Sequence, residues 1–224
     1  LCGLLIASKV LKTGTFVYTF GIDALSHAIP PDSGGVPVRI IFTIDPINAY
    51  MLIIAAIVGF CITLYSLSSM ERLSGKTGFY TLLMLLIAGV YGMIATGDLF
   101  NFFVFLEISS LAGAALVAYR IDKGVAAEAG LKYAALSTLG GLLFLVGIGL
   151  LYAQYNSLNM AVIAERMQLS VLDIIAFVFF FSALAMKCGA VPMHFWTPDS
   201  YAMAPSAITA FLVVSSQASL YGLF

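Results

Sequence analysis

Two ionisable side chains, Glu107 and Lys187, lie in stretches of sequence that are otherwise apolar. Glu107 is nine residues past Asp98, which places it ~13 Å deeper along a helix. A charge at the centre of a bilayer costs about 2.5–3.5 kcal/mol on insertion scales, so such residues usually pair with one another or carry ions. The two types, a carboxylate and an ammonium, can bind and release protons. The alternative is a structural ion pair that locks two helices together.

The residues that follow Lys187 predict a broken helix. Gly189 and Pro192 come next in KCGAVPMHFWTPDSYAMAP. Pro192 has no N–H to give to the carbonyl of Cys188, so the helix predicted over 171–197 should kink or break there. Irregular backbone inside a membrane is tolerated only where it is buried in protein or lines a wet cavity. A charge beside a broken helix is typical of an ion pathway, and we expect water along this break.

Three further residues have two readings each. His194 is seven residues after Lys187 and returns to nearly the same helix face, so it is a candidate for proton transfer or a structural histidine. Lys132 follows Glu128 by four residues, which fits either proton transfer or an i,i+4 pair at the membrane interface. Trp196 fits an interfacial aromatic belt and needs no other function.

The composition indicates a polytopic membrane protein. Apolar residues make up 62% of the 224 residues, charged residues only 9%, and mean hydropathy is +1.05. A soluble domain carries roughly 25% charged residues. The net charge of −1 gives no support for binding nucleic acid. The sequence has neither a phosphate-binding glycine loop nor a cysteine or histidine cluster, so we expect no cofactor, no metal and no redox centre.

The chain divides into three parts, which predict an all-α polytopic bundle with a small sheet. Residues 1–8 look like the end of a transmembrane helix. The polar segment 9–45 contains TFVYTF and VRIIFTI, which predict a β-hairpin outside the bilayer. Residues 46–224 hold six segments near the about 20 apolar residues that a spanning helix needs. These six are 46–69, 78–96, 99–119, 128–153, the broken 171–197, and 205–224. Both chain ends fall inside apolar runs, so we expect a portion of a longer protein or half of a split one.

Two motifs, GDLFNFFVFLE (97–107) and KCGAVPMHFWTPDSYAMAPSAITAF (187–211), resemble the antiporter-like subunit family. Its members are the large membrane subunits of respiratory complex I, the A-type and D-type proteins of Mrp sodium/proton antiporters, and matching subunits of membrane-bound energy-converting hydrogenases. The first motif is closer to the Mrp and hydrogenase branch than to the NADH branch. The resemblance implies a fold with two inverted five-helix repeats, each with one broken helix. Segments 78–96 through 205–224 would form the first repeat.

The resemblance also implies roles for individual residues. Glu107 matches the family's essential glutamate, Lys187 the lysine before the break, and Lys132 a nearby lysine of the preceding helix. One position departs from the pattern, because SSQASLYGLF has Gln217 where the family usually has a lysine or histidine. A glutamine cannot hold a proton near neutral pH but can order water, so we expect Gln217 to face Lys187 as a possible relay.

The implied function is translocation of protons, or of sodium against protons, in the cell membrane. The reaction that drives it would lie in partner subunits. Those partners are other membrane subunits, including further antiporter-like ones, with a hydrogenase or a quinone-reducing module as the candidate driver. The alternative is a scaffold half-subunit that does not pump. The sequence does not distinguish proton from sodium.

Overall fold

The computed structural model describes residues 2–20, 40–69, 75–120 and 124–222. The first described helix, α1 (Cys2–Thr13), leads into strand β1 (Phe16–Thr19), which pairs antiparallel with β2 (Ile41–Ile44). The predicted small sheet is therefore confirmed, although residues 21–39 between its strands lie outside the described residues. Helix α1 continues past residue 8 because Val10 remains on its buried face, and Gly14, at φ 87°, follows its last residue.

Eight further α-helices follow in the described part of the chain. They are α2 (Pro46–Ser69), α3 (Lys76–Ala95), α4 (Leu99–Val117), α5 (Gly124–Tyr155), α6 (Met160–Arg166), α7 (Val171–Cys188), α8 (Trp196–Met203) and α9 (Ser206–Tyr221). Helices α2 to α5 are each long and apolar enough to cross a membrane, and α7, the break and α8 together make a fifth such segment. The protein is a multi-pass membrane protein, as its composition predicts.

Two short helices, α6 and α8, lie where the sequence analysis expected none. Asn159 begins α6 by accepting hydrogen bonds from the backbone of Ala161 and Val162. Helix α8 occupies most of the stretch left between the predicted segments 171–197 and 205–224. It is amphipathic in burial, because Trp196 and Ser200 lie one turn apart and are both buried while Asp199 is exposed.

Helix α9 has only 16 described residues, fewer than the about 20 expected of a spanning helix. Two contacts nevertheless place its ends level with the two ends of α2. The Tyr65 hydroxyl lies 3.2 Å from Ser206 Oγ, and the Tyr221 hydroxyl bonds the side-chain oxygen of Asn48. Helix α9 therefore runs antiparallel to α2 through the same layer of the membrane.

A polar turn between α3 and α4 ties the bundle to the sheet. Asp98 caps α4 by accepting a 2.8 Å hydrogen bond from the Asn101 backbone, and Gly97 donates to the carbonyl of Ile41 in β2. Asp98 is buried rather than solvated as the sequence suggested, and this burial raises the pKa of its carboxyl. We call this end of the molecule the sheet end, and the end at which α3 and α5 begin the far end.

Helices α3 and α4 approach closely at a glycine, which gives a test of the packing. An ideal Cβ on Gly89 would lie 2.8 Å from Ser109 Cβ and backbone N, whereas one on Gly78 of the same helix would meet nothing within 4 Å. We expect Gly89→Ala to lower the free energy of unfolding by about 1–3 kcal/mol through overpacking. Gly78→Ala should be neutral or stabilising by up to about 1 kcal/mol, because alanine is the better helix former. Thermal unfolding in detergent measures both, and equal midpoints would contradict the close contact.

Candidate functional site

The structure brings together the two intramembrane charges that the sequence singled out. Lys187 Nζ, near the end of α7, donates to Glu107 Oε1 of α4 at 2.9 Å. It also donates to Ser110 Oγ, one turn further along α4, at 2.7 Å. The side chain of Lys187 is 2% exposed and that of Glu107 is 21% exposed. The ammonium is thus almost fully enclosed, while the carboxylate keeps one partly open edge.

Two adjacent glycines on α5 make room for this ion pair. The face of Gly141 lies against the Glu107 carboxylate so closely that no side chain fits there. An ideal Cβ on Gly140 would lie 3.7 Å from Lys187 Cε and 3.2 Å from the carbonyl oxygen of Ala183. Helix α5 therefore forms the third wall of the site without contributing a charge. A Gly-Gly pair inside a helix was the available sequence signal, since glycine is costly there unless something approaches closely.

The predicted break in the helix is confirmed immediately after the lysine. Helix α7 ends at Cys188, and Gly189 takes a left-handed conformation with φ 72° that favours glycine. The Ala190 N–H returns to the carbonyl of Ala185 at 2.9 Å, and a short 3-10 helix (Met193–Phe195) leads into α8. The break therefore starts three residues before Pro192. Water along it stays a prediction.

The expected interfacial position of Trp196 is wrong, because this side chain is buried at the break. Its indole N–H donates to the carbonyl of Met186 at 2.9 Å, one of the carbonyls that the end of α7 leaves without a helical partner. Its ring stacks on Tyr133 of α5, with centroids 4.5 Å apart and an interplanar angle of 11°. The Tyr133 hydroxyl in turn bonds Ser110, which holds Lys187. Sequence reasoning missed Ser110 and Tyr133, since both fit an ordinary helix face.

Lys132 lies outside this enclosed site. Its ammonium pairs with Glu128 at 2.8 Å and with Asp199 of α8 at 3.0 Å, and its side chain is 47% exposed. The neighbouring Tyr133 points inward, so Lys132 points away from Lys187. This geometry favours the i,i+4 pair over proton transfer, with a second acid joining α5 to α8.

The structure separates His194 and Gln217 from the buried pair. His194 is exposed on the 3-10 helix, because the break at Gly189 ends the helical phase on which the seven-residue spacing depended. Gln217 is exposed on α9, so the expectation that it faces Lys187 is wrong. The buried face of α9 carries small side chains instead, and Ser216 on that face lies 2.9 Å from the Tyr201 hydroxyl.

Comparison with known families identifies two matching regions. The family described as NADH:quinone oxidoreductase/Mrp antiporter, TM, matches residues 96–224, more than half of the chain. The family described as NADH-ubiquinone oxidoreductase (complex I), chain 5 N-terminus, matches residues 31–80. The first match includes both sides of the ion pair, the break and α9.

Several characterised proteins are similar over most of this chain. It is 38% identical over 197 residues to NADH-quinone oxidoreductase subunit N of Desulforudis audaxviator, which covers 84% of the chain and 38% of that relative. It is 35% identical over 212 residues to the D-type Na⁺/H⁺ antiporter protein of Alkalihalophilus pseudofirmus, covering 93% of the chain and 41% of the relative. The membrane-bound sulfane sulfur reductase, an archaeal respiratory membrane complex, contains a chain of the same fold, with TM-score 0.85 and 32% identity. The match covers 99% of this chain and 45% of that one, so the present chain spans less than half the length of these proteins.

The close fit between Gly141 and Glu107 can be tested by a double-mutant cycle. We expect Gly141→Ala to cost about 1–3 kcal/mol of unfolding free energy, because the new methyl group displaces the carboxylate. In a Glu107→Ala background the same substitution should cost much less, since the clashing group is gone. Gly149→Ala is the matched control on the same helix, where an added Cβ meets nothing within 4 Å. An equal cost of Gly141→Ala in both backgrounds would exclude the contact.

Proposed function

The chain belongs to the NADH:quinone oxidoreductase/Mrp antiporter transmembrane family, and we propose that it moves protons in the cell membrane through the Glu107–Lys187 pair. The observation that carries the proposal is the 2.9 Å contact between two charges on different helices, with the lysine beside the break. An ammonium that is almost fully enclosed by protein is stable only while a partner compensates its charge.

The proposed step is a change of partner by Lys187. While its ammonium contacts Glu107, the opposite charge stabilises the protonated form. When the two separate, the buried site disfavours the charge, and the lysine releases its proton to a neighbouring acceptor or water. Ser110 is placed to hold the nitrogen during this exchange, because it accepts from Lys187 at 2.7 Å and can itself donate.

A proton suits this site better than a sodium ion. Sodium binding calls for several oxygen ligands around one point, whereas the Glu107 carboxylate already faces an ammonium, which repels a cation. Within residues 2–20, 40–69, 75–120 and 124–222, no group of three or more acidic, histidine or cysteine side chains could hold a metal ion. Exchange for sodium would therefore take place in another part of the protein or of its complex.

The protein is proposed to act as one membrane subunit of a larger complex. Its relatives include an Na⁺/H⁺ antiporter subunit, a subunit of NADH-quinone oxidoreductase and part of a respiratory sulfur reductase. The driving event would come from partner subunits, with further antiporter-like subunits and a hydrogenase or quinone-reducing module as candidates. The Mrp and hydrogenase branch remains the preferred assignment, on the DLFNFFVFLE motif of α4.

Lysine-to-arginine substitutions test the proposed role directly. Lys187→Arg keeps the positive charge and its attraction to Glu107, but a guanidinium does not release its proton in a protein. We expect an assembled complex whose proton translocation in proteoliposomes falls by at least about tenfold, equivalent to about 1.4 kcal/mol in the barrier. Glu107→Gln should produce a loss of similar size.

Lys132→Arg is the matched control for this experiment. Its side chain is half-exposed and bonded to two carboxylates, which arginine can also bond, so translocation should stay near the wild-type rate. Wild-type rates in Lys187→Arg and Glu107→Gln would favour the alternative, a scaffold subunit that does not pump. A loss in Lys132→Arg alone would instead assign the proton transfer to Lys132.

A further inference from the structure

The buried face of α7 carries two ionisable side chains with an aromatic ring between them. Asp173, Phe180 and Lys187 follow at intervals of seven residues, which places them on one side of the helix about 10 Å apart along its axis. All three are buried. Lys187 belongs to the site described above, while Asp173 lies at the sheet end, and neither the pair nor its proposed step uses it.

Asp173 has polar partners of its own. Its Oδ2 accepts hydrogen bonds from the Tyr155 hydroxyl and from the Ser170 backbone, both at 2.8 Å. Its Oδ1 is buried and has no hydrogen-bond partner among the described residues. Tyr155 also lines a cavity of about 520 Å³ together with Gln154, Glu165, Arg166, Met167 and Gln168. The sheet end of the α5–α7 interface is therefore polar up to Asp173.

The interface between Asp173 and Lys187 is instead apolar and filled by rings. Phe180 lies against Phe144 of α5 with centroids 4.7 Å apart, and Phe144 stacks on Phe102 of α4 at 5.4 Å and 30°. Gly147 admits the Phe180 ring, because an ideal Cβ there would come within 2.8 Å of it. Leu106 and Ile148 fill the space beside the rings. Three helices thus contribute one ring each to a single stack.

Polar groups resume on the other side of the stack, toward the far end. Ser110 and Tyr133 adjoin Lys187, and the hydroxyls of Ser137, Thr197 and Ser200 are buried without a partner among the described residues. Ser137 lies on α5 between Tyr133 and Gly140, the glycine that touches Lys187, and Thr197 lies against Gly189 at the break. Buried hydroxyls usually find a partner in protein or in ordered water. The polar surroundings of Lys187 therefore extend only toward the far end.

We propose that Phe102, Phe144 and Phe180 form a hydrophobic barrier that closes the route from Lys187 to Asp173. Narrow apolar constrictions exclude water, and without water or polar side chains a proton has no carrier across them. The barrier gives the proposed proton path a direction, since this half of the molecule exchanges protons with the far end and is insulated from the sheet end. The inference rests on the proposed function for its role, but the barrier itself can be measured without any pumping.

The direct test is passive proton leak through the full-length protein in its assembled complex. Proteoliposomes with an internal pH dye receive an imposed pH gradient and no energy source. We expect Phe144→Ala and Phe180→Ala each to raise the leak several-fold. Phe177→Ala and Phe181→Ala are the matched controls, because these rings lie on the exposed face of α7, 46% and 63% exposed, and their loss should leave the leak unchanged.

A second substitution separates an opened route from general damage. In the Phe180→Ala background, Asp173→Asn should return the leak toward the wild-type level, because it removes the proton acceptor on the sheet side of the stack. A leak that persists undiminished in the double variant would overturn the route through Asp173. A wild-type leak in both assembled single variants would overturn the barrier. Normal pumping by Lys187→Arg would remove the proposed function and leave these leak results standing.

Infrared spectroscopy provides a test that keeps the rings in place, should the alanine variants not assemble. p-Cyanophenylalanine at position 180 or 144 adds a nitrile whose stretching frequency reports hydrogen bonding to water. The barrier requires the frequency of a nitrile in a dry environment at both positions, while the same label at position 133, beside Ser110, should report a hydrogen bond. A water-bonded nitrile at 180 or 144 would overturn the proposal.

Discussion

The ion pair between Lys187 and Glu107 is the constraint on which the arrangement of the other helices depends. An ammonium this deeply buried is strongly destabilising unless an opposite charge lies within hydrogen-bonding distance. The pair therefore fixes the end of α7 against the middle of α4, and both must pack against α5 without a side chain intruding. Gly140 and Gly141 meet that requirement. The break after Lys187 follows at the same place, so the charge sits where the backbone is least regular.

Close helix contacts elsewhere in the bundle follow the same rule. In a membrane, helices gain little from burying apolar surface against one another, so association depends on tight packing and on hydrogen bonds. Gly89 admits Ser109, Gly92 admits a phenylalanine ring of α4, and Gly130 lies against Ala118. Large side chains then interdigitate at the positions that the glycines leave open. The bundle can thus hold a polar site at its centre while its lipid-facing surface stays almost entirely apolar.

The site is also asymmetric along the membrane normal. Hydroxyl groups and the Trp196–Tyr133 stack adjoin Lys187 on one side, and phenylalanine rings adjoin it on the other. Trp196 links the two properties of the break, because its N–H satisfies a carbonyl of α7 while its ring fixes α8 against α5. Asp199 holds α8 to the same helix from the exposed side, through Lys132. The geometry of the break is therefore set by α5 as much as by α7.

The sequence alone determined the membrane class, the small sheet, the pairing candidates Glu107 and Lys187, and the existence of a break. Each follows from local chemistry: apolar runs of sufficient length, charges too costly to leave alone, and a glycine and a proline in a helix. Only the tertiary structure decided that Trp196 is buried and that Lys132 and Gln217 point outward. Which face of an apolar helix turns inward depends on its neighbours, and in a membrane both faces are apolar, so hydrophobic periodicity carries little information. Beyond the break the helical phase is lost as well, and the orientation of every later residue had to come from packing.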